Sequence, residues 1–138
     1  MPNQIKYLDG GRGVAWAAAS LLTGPELIAD HKAIFFRDHG AEPYLYAFFD
    51  CGGLTGTTIS VADMREVANI DFRASRSIPN FVVAIYAKDD LPIGLARMWQ
   101  VLAEQTGWES RIFQDKSEAV DWMKERVAAK SGIQVAFE

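Results

Sequence analysis

The chain divides into apolar runs separated by polar breaks rich in glycine, proline and aspartate. Two runs dominate: residues 44–50 (YLYAFFD) and residues 81–87 (FVVAIYA). Both are apolar at successive positions rather than at alternate ones, the pattern of strands buried on both faces. Residues 5–8 and 14–20 form an earlier apolar pair, split by Asp9, Gly10, Gly11, Arg12 and Gly13. Glycine supplies positive φ without steric cost, so this break predicts an N-terminal hairpin. The alanines of the second stretch favour helix and work against a strand there. Residues 108–114 read as one further short strand.

Helical spacing fills the intervals. Thr23, Gly24, Pro25 and Glu26 read as a capping box, in which the threonine hydroxyl takes a first-turn amide and the glutamate reaches back. The helix that follows carries Leu27, Ile28, Ile34 and Phe35 and is expected to end near residues 38–40, with Pro43 preventing its resumption. Ser60 caps a second helix, with Asp63 in the capping-box position and Val61, Met64, Ala68 and Phe72 at helical spacing up to about Arg76. Asp90, Leu91 and Pro92 open a third helix, because proline is tolerated in a first turn. Its stripe is Leu91, Leu95, Met98 and Leu102, and Gly107 is its expected C-terminal cap. Asp115 or Ser117 caps a fourth, with Val120, Met123 and Val127 inward. Residues 133–137 alternate weakly and predict a short added strand in the tail at 131–138.

The element order is β-β-α-β-α-β-α-β-α, a single α/β domain over residues 1–138 with a mixed, mostly parallel sheet and crossover helices. Right-handed crossovers between neighbouring strands place the helices on one face. Residues 44–50 and 81–87 nevertheless need cover on both faces. A second copy of the chain would supply it, so the expectation is a homodimer.

Composition narrows the function classes. Fourteen Lys and Arg against eighteen Asp and Glu give a net charge of −4, which argues against a nucleic-acid partner. The single cysteine, Cys51, forbids an internal disulfide and a multi-cysteine zinc site, and His31 and His39 lack metal-ligand spacing. No cofactor or metal is expected. No apolar run approaches the roughly 20 residues of a membrane span. The opening residues lack the charged and apolar regions of a signal peptide, which makes the cytoplasm the expected compartment.

Candidate chemistry is sparse. The segment 51–59 (CGGLTGTTI) follows the carboxyl end of a central strand, where open α/β sheets bind ligands. Gly52 and Gly53 permit close backbone approach, Thr55, Thr57 and Thr58 offer hydroxyls, and Asp50 closes the strand before them. No Gly-Lys-Ser/Thr follows, so this is not a P-loop. Cys51 has no base beside it in sequence and reads as a small structural residue. Asp50, Asp89 and Asp90 fall at strand ends, but no general base or metal completes a catalytic set, and no catalytic residue is assigned. Aromatic residues make up 12% of the chain, enough for a core and for an apolar pocket between sheet and helices.

The opening hairpin, the Thr-Gly-x-Glu helix start, the apolar strand ending in Asp50, and the stretch from Pro79 through Ser117, Glu118, Ala119 and Trp122 together resemble the SpoIIAA-like group of the STAS superfamily, the anti-sigma-factor antagonist-like domains, in its uncharacterised bacterial branch. The likeness runs from Ile5 to about Val127. It implies a SpoIIAA-like fold and a non-enzymatic regulatory domain that works through a protein partner. Signalling members carry a phosphorylated serine in an Asp-Ser-small-Gly motif at the start of the helix after the third strand. This chain lacks that motif; Ser60 and Thr58 fall nearest its place. The alternative function is a carrier or sensor of a small apolar molecule, lipid or acyl, bound near residues 52–58.

Overall fold

The computed structural model describes residues 2–40 and 42–137. In chain order the elements are β1 (Gln4–Leu8), β2 (Gly13–Ala17), β3 (Leu21–Leu22), α1 (Gly24–Phe35), β4 (Tyr46–Asp50), β5 (Gly56–Thr57), α2 (Val61–Ser75), β6 (Val82–Tyr86), α3 (Asp90–Leu102), β7 (Glu109–Phe113) and α4 (Lys116–Ser131). Five strands form the main sheet in the order β1-β2-β4-β6-β7. β1 and β2 are the antiparallel hairpin, and every later pairing is parallel. The short strands β3 and β5 pair in a separate two-stranded sheet that the sequence pattern does not announce.

Caps set most helix boundaries. Thr23 Oγ1 accepts the Glu26 amide, but the glutamate returns to the threonine hydroxyl rather than to its backbone. Ser60 and Asp63 form the full reciprocal box. Asp115, not Ser117, caps α4, its Oδ1 accepting the Glu118 amide at 3.0 Å. α1 stops at Phe35, earlier than expected. α3 stops at Leu102, and Gly107 (φ +70°) closes the following 3-10 turn, Glu104–Thr106.

The two-sided strands divide their side chains between two cores. On one face Val14, Trp16, Ala47, Phe49, Val83 and Ile85 meet the inward stripes of α1, α2 and α3. On the other, Tyr46, Phe48, Val82 and Ala84 meet Ala119, Met123 and Val127 of α4. The expectation that all helices share one face is therefore corrected. α4 follows β7, the last strand among the described residues, and packs back over the open face.

The tail is corrected as well. Residues 133–137 form no strand, yet Val135 and Phe137 are buried on that second face. Phe137 lies 4.8 Å, centroid to centroid, from Phe48. Asp9, in the left-handed region at φ +53°, holds the segment from below. Its carboxylate accepts the Ala136 amide at 2.7 Å and the Tyr46 hydroxyl at 2.5 Å. The apolar face that motivated a homodimer is covered by the chain's own α4 and tail.

Candidate functional site

The site forms where β2, β4 and β6 end and the chain turns into segment 51–59. Two backbone bonds extend the ladder past the strands: Ala18 donates to the Asp50 carbonyl and Cys51 to that of Tyr86, each at 2.9 Å. The chain then turns at Gly52 and Gly53, and Leu54 folds inward to 3% exposure. The threonines hold the segment in place. Thr55 Oγ1 donates to the Ser20 carbonyl and Thr57 Oγ1 to that of Leu22, while the amides of Thr55 and Gly56 share Ser20 and the Thr58 amide takes Leu22. Three of these five bonds come from backbone amides and two from threonine hydroxyls. The hydroxyls of Thr55 and Thr57 thus serve the neighbouring chain rather than facing a ligand.

Beneath Leu54 lies an apolar cavity of about 60 Å³. Trp16 and Phe49 of the sheet, Leu27 of α1, Met64 of α2 and Pro92 and Ala96 of α3 contribute to its wall. Trp16 does so with its ring nitrogen already committed to Asp30 Oδ2 at 2.8 Å. One polar network backs this apolar surface. Asp71 of α2, completely buried, receives His31 Nδ1 on Oδ1 and Trp99 Nε1 on Oδ2, both at 2.8 Å. The His31 ring is 4% exposed and stacks on Phe49 at 5.4 Å with 9° between planes. A buried carboxylate is costly unless hydrogen-bonded, and two donors on separate oxygens meet that demand.

His31 and Asp71 were not identified as a pair in the sequence, where 40 positions separate them. A signal existed: each interrupts an inward apolar stripe. His31 falls between Leu27 and Ile34, and Asp71 between Ala68 and Ala74. Polar side chains in buried helix positions generally have partners.

The structure separates the other candidates. Cys51 lines the cavity that His31 lines, but no hydrogen bond joins thiol to imidazole. Burial, aided by the charge of Asp50, pushes the thiol up to about 12, so it stays protonated and unreactive at neutral pH. Asp50 points to the opposite side of the sheet. It pairs with Lys116 Nζ at 3.0 Å and borders a hollow that Lys6 and Phe137 also line, while Oδ1 accepts the Gly52 amide. Ser60 is exposed at the start of α2. Its oxygen accepts the Asp63 amide at 3.1 Å and its own amide donates to Asp63 Oδ2 at 2.9 Å. That carboxylate stands where a phosphate on Ser60 would meet like charge. Thr58 is exposed beside it. Among the described residues no cluster of three His, Cys, Asp or Glu is placed to hold a metal, and no helix is long and apolar enough to cross a membrane.

No protein-family profile matches the chain, and no curated protein matches it. Among solved structures it is similar to the crystal structure of an uncharacterized protein from the DUF3478 family, with a SpoIIAA-like fold, from Shewanella loihica PV-4. The TM-score is 0.57 at 21% identity, over 88% of this chain and 91% of that one. At such identity the likeness is one of architecture. The hairpin, the parallel strands and their crossover helices together give this chain a SpoIIAA-like fold.

Proposed function

We propose that this protein is a non-enzymatic domain that binds a small apolar molecule beneath segment 51–59 and acts as its carrier or sensor. The observation that supports it is the cavity under Leu54, set at the carboxyl ends of the central strands, where open α/β sheets take ligands. Its size limits the occupant. An engineered cavity of about 150 Å³ holds a benzene, so about 60 Å³ takes a shorter group or the end of a chain. Native mass spectrometry of freshly purified protein tests the reading. A bound small molecule that leaves on denaturation supports it. Bare protein, together with no shift of the Leu54 or Met64 methyl resonances on titration with short aliphatic compounds, removes it.

A second reading, regulation through a protein partner, rests on the fold and on the same end of the molecule. There Leu21, paired with Gly56, and Val61, next to Ser60, are 54% and 50% exposed. Intact-mass analysis of the protein isolated from its own cells tests the switch. Phosphate on Ser60 or Thr58 supports it; unmodified protein through all growth phases counts against it.

A further inference from the structure

The hydrogen-bond inventory of the cavity leaves two positions open, the weakly polar Cys51 thiol and one nitrogen of His31. Trp16 Nε1 is given to Asp30, Trp99 Nε1 to Asp71, and the Cys51 thiol makes no hydrogen bond. His31 Nδ1 lies 2.8 Å from Asp71 Oδ1, and a carboxylate offers only acceptors. Nδ1 therefore carries the hydrogen, and in the neutral ring Nε2 presents a lone pair. The described residues give that nitrogen no partner. The ring cannot turn to find one: Asp71 holds its edge and Phe49 covers its face. His31 is only 4% exposed and lines the apolar cavity, yet Nε2 is not sealed among protein atoms, so a hydroxyl entering the cavity can reach it and donate.

We propose that His31 is the polar recognition group of this cavity, and that its ligand is a short aliphatic molecule bearing a hydroxyl that donates to Nε2. The proposal rests on the apolar-ligand reading above and adds the chemical class. Asp71 and Trp99 are positioning residues: they set which nitrogen of His31 is open and keep the ring against Phe49. The remaining wall of carbon and sulfur accepts the aliphatic part, and its size favours a chain of a few carbons.

Two isomeric probes separate the anchor from the cavity. 1-Butanol and methyl propyl ether have the same atoms, but only the alcohol has a donor. Titrations followed by methyl and imidazole-nitrogen resonances should show the alcohol roughly ten-fold tighter, with the His31 Nε2 signal displaced by the alcohol alone. Equal affinities, with Leu54 and Met64 methyls shifted by both, overturn the anchor and leave the apolar site standing. No shift of those methyls with either probe overturns both. Asp71→Asn provides a readout that a merely structural role does not move. Trp99 holds the amide oxygen, the amide nitrogen then donates to Nδ1, and the imidazole hydrogen transfers to Nε2, so the preference for the alcohol should vanish. Should that variant not fold, the wild-type tautomer decides: a hydrogen found on Nε2 of the neutral ring overturns the proposal.

Discussion

Phe137 lies 4.8 Å from Phe48, and that contact joins the end of the chain to the middle of its sheet. Phe48 is a central-strand residue on the face that the three crossover helices do not reach. α4 covers part of that face and the Phe137 ring covers more. Phe137→Ala should therefore destabilise the protein by about 3 kcal/mol, the cost of an aromatic ring lost from a packed position. Urea unfolding measures it. The same variant uncovers Phe48, so light scattering should detect more self-association than in the parent. A variant of parental stability would show that α4 alone suffices.

Asp71 is the buried partner of two donors on two different helices. Asp71→Ala leaves His31 Nδ1 and Trp99 Nε1 without acceptors, and about 3 kcal/mol of stability should be lost. Leu at this position restores apolar volume but not the acceptors, so it should recover only a part. Denaturant midpoints of the two variants check the order.

Gly13 lies flat against the Tyr46 ring. A β-carbon there would fall 2.0 Å from a ring carbon, so even alanine has no room. Gly13→Ala should cost about 3 kcal/mol or more by overpacking. Replacing the Tyr46 ring with leucine in the same chain should return part of that loss, which a double-mutant cycle resolves.

The Cys51 thiol is held in its protonated form, pushed up to about 12 by burial and by Asp50. The unfolded thiol ionises near 8.5. Above that value the unfolded chain binds fewer protons than the folded one, so stability falls as pH rises, from about 9 until the folded thiol itself ionises. The slope of stability against pH in that window should be shallower in Cys51→Ala. At pH 8 the native thiol should resist a disulfide reagent that labels it promptly in urea.

Ser60 starts α2 as its N-cap in a reciprocal box with Asp63. Ser60→Ala should lose about 1 kcal/mol, whereas Ser60→Asp keeps an acceptor for the Asp63 amide and should stay within about 0.5 kcal/mol of the parent. Thermal unfolding distinguishes the two. A large loss in Ser60→Asp would show that repulsion from Asp63 outweighs the cap.

Local chemistry was legible in the sequence wherever it depends on near neighbours. Ser60 with Asp63 and Thr23 with Glu26 are pairs three residues apart, and each is found at a helix start, while the cap of α4, left open between Asp115 and Ser117, is Asp115. The successive apolar positions of β4 and β6 announced that both faces would be buried, and they are. The hairpin followed from its glycines, and the alternation of strands and helices carried the parallel sheet. Each of these is set within one turn or one strand, where sequence distance and spatial distance coincide.

Only the tertiary structure decided what covers those faces and what meets at the strand ends. α4 and residues 133–137 occupy the side assigned to a second copy, because their apolar side chains Ala119, Met123, Val127, Val135 and Phe137 pack on that face. His31 and Asp71, 40 positions apart, meet because α1 and α2 lie side by side on the other. Asp50 and Cys51 are adjacent in sequence yet project to opposite sides, since neighbouring side chains of an extended chain alternate. The sequence alone established the elements and their two-sided burial. Which side chains share a cavity was settled by packing, because contacts between distant segments depend on where each crossover returns the chain.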